Sequence, residues 1–173
     1  VKLCTVIGFP HGTSAIEAKV HEAAVAAKQG AHEVDMVINP AKAIEGDWDY
    51  LKKEIAGINS ATVDNGALLK VIFETGYLDD DQIKKLCEIS SDVGVGFVKT
   101  STGFGYVKND EGQMVSTGAT VHHIRLMRQY CSDQVRIKAS GGIRTLGDAM
   151  DIIDAGADRI GASATVEILA ELS

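Results

Sequence analysis

The segment GFVKTSTGFG, residues 96–105, places Lys99 directly after the apolar pair Phe97 and Val98 and follows it with hydroxyls and glycines. Phe97 and Val98 read as the end of a buried strand, and the glycine-punctuated tail as the loop that leaves it. An ammonium group in such a strand is costly unless it is paired, or unless it sheds its proton and becomes a nucleophile. VRIKASGGIR, 135–144, repeats the arrangement: Lys138 follows apolar strand residues, and the chain then turns through Ser140, Gly141 and Gly142. Lys70 occupies a third such position in LLKVIFETG, 68–76.

Outward from these three lysines the chain alternates strand-like and helix-like patterns. Candidate strands are 3–9, 33–38, 68–74, 97–101, 135–139 and 159–162. Amphipathic segments lie between them, with start signals at Ser14 with Glu17 as a capping box, at 79–81 before QIKKLCEIS, and at Thr145 with Asp148 before AMDIIDA. Strand, helix, strand at roughly 30-residue spacing predicts crossover connections and a parallel sheet.

The phase of the repeat carries more than the count. Gly30, Gly94 and Gly156 look like helix C-caps, and five residues after each stand Asp35, Lys99 and Gly161; Asn65, also tolerant of the left-handed cap, stands five before Lys70. These positions are expected at one level of the sheet and would converge if it closes into a barrel. GxGxxG is absent, which removes the dinucleotide signature of a doubly wound sheet. The expected fold is therefore α/β, a (β/α)8 TIM barrel with about six strand-helix units present. Residues 1–173 are read as a single barrel domain, N-terminally incomplete, with the first two strands missing, since position 1 is not Met and the chain opens on a strand. An open barrel or a smaller α/β sheet are the alternatives.

Composition narrows the partners. With 173 residues, 45% of them hydrophobic, the chain is long enough for a sizeable core. A net charge of -7 argues against nucleic acid or an acidic membrane surface, which require clustered Lys and Arg. No apolar run reaches membrane-span length and no signal-peptide pattern is visible, so a cytoplasmic location is expected. Cys4, Cys87 and Cys131 are far apart and outside any CxxC, which suits free thiols in a reducing compartment.

The chemistry follows from the lysines. If Lys99 and Lys138 share a cavity, they are like charges in a low dielectric and one is pushed toward its neutral form. A free lysine titrates near 10.4, so about one in 2,500 is neutral at pH 7; bringing that value down to about 7 costs about 4 kcal/mol. The product is an amine able to form a Schiff base with a carbonyl. In the competing arrangement each lysine is neutralised by Asp35 or Glu74, two carboxylates for three lysines. Asp35, between Val34 and Met36, can steady the cations or relay protons through a water. Gly141, Gly142 and Arg144 after one strand, and GASA, 161–164, after the next, suit an oxyanion held by backbone N–H groups; Ser163, Gly103 and the TSTG hydroxyls, Thr102 among them, can complete the cup. The five histidines show neither HxH nor HExxH spacing, so no metal is expected, and His11 of GFPHG reads as a loop residue.

GFPHG, EVDMVIN, LLKVIFETG, FVKTSTGFG, IKASGGIR and RIGASA resemble, in this order and spacing, the deoxyribose-phosphate aldolase family, over nearly the whole chain. The resemblance implies an eight-stranded Schiff-base aldolase barrel that interconverts 2-deoxyribose 5-phosphate with acetaldehyde and glyceraldehyde 3-phosphate, with no cofactor. It implies Lys99 as the imine lysine, Lys138 as the cation that lowers its pKa, and Asp35 as the proton relay. Gly103, Gly141, Gly142, Arg144, Gly161 and Ser163 match its phosphate cup, while Lys70 has only an accessory place. The sequence departs from the family in lacking about two strands before GFPHG, in having Ala164 where a second serine usually follows Ser163, and in a longer segment over 106–118. That segment is expected to be a hairpin with its tip at NDEG, 109–112, serving as a flap, an oligomer contact such as a homodimer, or a tolerated insertion. Two other functions fit: another Schiff-base sugar-phosphate aldolase or transaldolase, and an inactive barrel fragment that only binds sugar phosphate.

Overall fold

A computed structural model describes residues 1–172. In chain order its elements are β1 (Cys4–Ile7), α1 (Ile16–Lys28), β2 (Glu33–Val37), α2 (Pro40–Glu45), α3 (Trp48–Val63), β3 (Leu68–Ile72), α4 (Asp80–Val93), β4 (Phe97–Lys99), β5 (Tyr106–Lys108), β6 (Met114–Ser116), α5 (Val121–Tyr130), β7 (Arg136–Ser140), α6 (Leu146–Asp154), β8 (Arg159–Gly161) and α7 (Thr165–Ala170). Six strands form one parallel sheet in the order β1-β2-β3-β4-β7-β8, and β5 and β6 pair antiparallel as a separate ribbon. All six expected strands are present, five of them a little shorter than expected and β7 of the expected length but one residue later.

The strands separate two environments by their alternation. Val34, Met36, Leu69, Val71, Val98, Ile137 and Ala139 point to one face and join the buried core with helix residues such as Leu51, Ile55 and Ile58 of α3 and Ile83 and Leu86 of α4. The other face carries Glu33, Asp35, Lys70, Lys99, Lys138 and Arg159. Neighbouring strands are about 4.8 Å apart, so β2 and β8, four places apart, would be about 19 Å apart in a flat sheet. Arg159 of β8 nevertheless meets Glu33 of β2 at 2.6 Å. The sheet is therefore curled around its charged face, as a parallel α/β half-barrel.

The register corrects one sequence expectation. Asp35 is level with Lys70, and Lys99 with Lys138, but Lys99 stands opposite Ile72 and Gly161 opposite Ser140. The equivalent positions thus occupy three levels, each two residues from the next: Asp35 with Lys70, then Lys99, then Gly161. Because the side-chain period is also two, they still share a face.

Helix starts are mostly as expected. Asp79 with Gln82, and Thr145 with Asp148, form complete capping boxes. The box expected at Ser14 and Glu17 does not form: α1 begins at Ile16 with Ala15 at its cap and no side-chain bond there. Burial of Ile16 and Lys19 sets that start, one residue later than the box requires. Gly30, Gly94 and Gly156 all adopt positive φ after helices, whereas Gly66, not Asn65, takes that conformation after α3.

Candidate active site

Lys99 is the last residue of β4, 6% exposed, and its Nζ donates to Asp35 Oδ2 at 3.2 Å. Lys138, in the middle of β7, donates to the same oxygen at 2.9 Å. Lys70, fully buried, donates to Asp35 Oδ1 at 2.6 Å and pairs with Glu33 at 2.7 Å. One carboxylate therefore receives three amines from three strands. The convergence expected from the sequence is met for Asp35, Lys70, Lys99 and Lys138.

The three amines are not equivalent. Burial works against the charge of Lys70, but Asp35 and Glu33 outweigh it and hold its pKa above that of a free lysine. Burial also pulls Lys99 down; Asp35 opposes this and Lys138 adds to it, and the net direction is down. For Asp35, burial would raise the value, yet Lys99, Lys138 and Lys70 together hold the carboxyl well below the usual carboxylate range. Asp35 is an ionised anchor near neutral pH, and Lys99, held by one long hydrogen bond, is shifted toward its neutral amine while Lys70 is shifted away from it.

Lys19 shows what a fully satisfied buried lysine looks like in the same protein. Its Nζ pairs with Glu54 at 2.7 Å and donates to the carbonyls of Val37, at 2.9 Å, and of Gly12. All three protons are used, which leaves no reactive role for that amine.

The cup lies beside Lys99 and Lys138. A cavity of about 590 Å³ is lined by both lysines, by Thr102 and Gly103 after β4, by Gly141, Gly142 and Arg144 after β7, and by Gly161 and Ser163 at and after β8. That size suits a small metabolite. Gly141 and Gly142 have φ of 89° and 80°, a left-handed pair that a side chain would strain and that bares backbone N–H groups. At Gly161 any Cβ would run into the Ser140 hydroxyl and the Lys138 side chain. Gly103, Arg144 and Ser163 are exposed on the rim. The helix after GASA, α7, has no side-chain cap and is only six residues long.

Several participants escaped the sequence reading. Glu33 is two residues before Asp35 on the same strand face, so alternation alone could have placed it beside the lysines. It joins Lys70 to Arg159, completing a chain of alternating charge across the curled sheet. Cys4 donates its thiol to Asp35 at 3.3 Å, a contact that needs the β1–β2 register to be known. Glu74, a lysine partner only in the competing arrangement, accepts from the backbone N–H and hydroxyl of Thr102 and from the Thr117 hydroxyl. Its backbone turn after β3 carries it away from the amines. His11 is exposed and lines a separate cavity with Pro10, Tyr77 and Phe104.

The curled parallel sheet, with amines from three strands gathered on its inner face, is the half-barrel α/β architecture of a class of aldolases. The chain belongs to the DeoC/LacD aldolase family, whose model matches residues 2–170. It is 49% identical over 172 residues to a deoxyribose-phosphate aldolase of Caldanaerobacter subterraneus subsp. tengcongensis, covering 99% of this chain and 70% of that protein. A solved chain from Coccidioides immitis matches with a TM-score of 0.88 and 39% identity, over 99% of this chain and 64% of that one. The tetrameric deoxyribose phosphate aldolase of Aeropyrum pernix matches with a TM-score of 0.84 and 34% identity, over 99% of this chain and 68% of that one. The chain thus spans between 64% and 70% of the length of these relatives.

Proposed function

We propose that the protein cleaves 2-deoxyribose 5-phosphate reversibly to acetaldehyde and glyceraldehyde 3-phosphate, with Lys99 as the Schiff-base nucleophile. The carrying observation is the meeting of Lys99 and Lys138 on one oxygen of Asp35 beside a glycine-lined cavity. The neutral Lys99 amine adds to the C1 aldehyde of the open-chain sugar, and the carbinolamine loses water to give an iminium ion. The iminium draws in the electron pair of the C2–C3 bond as the C3 hydroxyl gives up its proton. Glyceraldehyde 3-phosphate leaves, and the remaining enamine takes a proton at C2. Water then hydrolyses the imine and releases acetaldehyde, restoring the amine.

Lys138 keeps Lys99 neutral by like-charge repulsion, while Asp35 orients both and passes protons between them, water and substrate. Backbone N–H groups at Gly103, Gly141, Gly142 and Gly161, with Arg144, Thr102 and Ser163, take the phosphate. Lys70 holds Asp35 in place. The chain acts as one domain over 1–173. The edge strands β1 and β8 are unpaired on their outer sides among the described residues, which supports an eight-stranded barrel with two further strands between those edges. The β5–β6 ribbon, with Tyr106 and Met114 exposed, would serve as a flap or as a contact in a homodimer. The three free thiols suit a cytoplasmic setting. No helix of the described residues is long and apolar enough to cross a membrane.

A coupled assay for glyceraldehyde 3-phosphate release from 2-deoxyribose 5-phosphate tests the reading, with a panel of other sugar phosphates beside it. Highest kcat/KM on 2-deoxyribose 5-phosphate supports it, and preference for a sugar phosphate with a different donor would replace the substrate.

A further inference from the structure

Glu74 follows β3 with φ 57° and ψ 57°, the left-handed region, and is the one residue other than glycine with positive φ among the described residues. It is also 2% exposed. Backbone strain of this kind persists where the surroundings hold it, and it clusters at functional sites. The left-handed turn swings the side chain across the end of β4, where Phe73 N–H and Thr75 N–H bond the carbonyls of Lys99 and Thr100. There the carboxylate gathers two loops. Oε2 accepts from Thr102 N–H at 3.1 Å and from the Thr102 hydroxyl, and Oε1 accepts from the Thr117 hydroxyl at 3.3 Å.

Both arms lead to the cup. The Thr102 hydroxyl, while donating to Glu74, accepts from Phe104 N–H at 3.0 Å, so Gly103 is held between two fixed neighbours. Thr117 N–H bonds Gly105 O, and two residues on Ala119 N–H bonds Gly141 O at 3.0 Å. Among the described residues no lysine reaches Glu74, so its carboxylate does not belong to the amine cluster.

We propose that Glu74 is the positioning residue of the phosphate cup, fixing the loop at Thr102 and Gly103 and, through Thr117, the loop at Gly141 and Gly142. The proposal rests on the reading of that cavity as the sugar-phosphate site. It separates Glu74 from proton transfer. A glutamine there still accepts both bonds from Thr102 through its oxygen and donates its amide to Thr117, so positioning survives where acid–base function would not.

The experiment compares Glu74→Ala, Glu74→Gln and Thr117→Val on 2-deoxyribose 5-phosphate and on unphosphorylated 2-deoxyribose. Glu74→Ala should raise KM for the phosphorylated sugar by about tenfold or more with kcat within about threefold, and leave kcat/KM for 2-deoxyribose unchanged. Glu74→Gln should stay within about threefold of wild type on both. Glutamine as damaging as alanine, or equal losses on the two sugars, would overturn the assignment. If Glu74→Ala does not fold, Thr117→Val decides: a higher KM for the phosphorylated sugar alone supports the proposal, and unchanged kinetics refute it. Should the wild type not cleave either sugar, the proposed reaction fails on its own. Calorimetry with inorganic phosphate then decides for Glu74, since affinity must weaken in the variants that break the clamp.

Discussion

Replacing Lys138 by leucine removes a positive charge whose distance from Lys99 is bounded by the site itself. Both nitrogens lie on Asp35 Oδ2, at 3.2 and 2.9 Å, so they are no more than about 6 Å apart. At that separation and an effective dielectric of about 20, two unit charges repel by about 2.7 kcal/mol, equivalent to about two pH units in the titration of Lys99. Leucine keeps the apolar stem and fills most of the same space, so packing changes little. The sign is fixed: Lys99 is active when neutral, Lys138 depresses its pKa, and its loss raises it. Asp35 adds to the effect, because its Oδ2 then serves Lys99 alone. The acid limb of the kcat/KM profile should move up by about two pH units, with about a hundredfold loss at pH values below the limb. The assay is glyceraldehyde 3-phosphate release across pH 5 to 10. A Lys138→Leu enzyme with reduced activity but an unmoved limb would refute the reasoning, since Lys138 would then act by contact with substrate and not by its field.

Asp35→Asn should lower turnover by about a hundredfold or more and destabilise the fold by about 3 kcal/mol, because Lys99 and Lys138 are left without a counter-charge; kinetics and urea unfolding of one preparation check both. Lys19→Met strands Glu54 in the core and should cost about 3 to 5 kcal/mol, while a loss below about 1 kcal/mol would show that the pair is dispensable. Glu33 and Asp35 both have carboxyls held below their usual values in the fold, Glu33 by Lys70 and Arg159 against its burial. Their stabilisation is complete above the unfolded values near pH 4 and is lost as pH falls through the folded ones. Urea midpoints should therefore decline below about pH 4.5, and a midpoint constant from about pH 5 down to about pH 3 would contradict this.

The parallel architecture was legible because a buried strand announces itself by apolar content and a helix by its cap. Thr145 with Asp148 behaved as its spacing predicts, and the start signal over 79–81 resolved into a capping box between Asp79 and Gln82. Ser14 did not, since the pull of Ile16 and Lys19 into the core outweighs a cap worth about 1 kcal/mol. Cap-counted phase placed Asp35, Lys70 and Lys99 on one face, but not on one level. Level depends on the shear of a curled sheet, which no single strand encodes. Lys19 was invisible as a buried lysine because it sits in a helix pattern, where a lysine reads as a solvated residue. Glu74 looked like a spare carboxylate for the amines; only its left-handed backbone shows that it faces Thr102. Glu33, by contrast, was within reach of simple alternation.

The central claim is that Lys99 is the amine that becomes covalently bound, among three that meet at one carboxylate. Reduction with borohydride in the presence of acetaldehyde, followed by digestion and mass spectrometry, tests it directly. The charge arrangement predicts one ethyl adduct per chain, on the peptide carrying Lys99. An adduct on Lys138 or Lys70, or none, would contradict it.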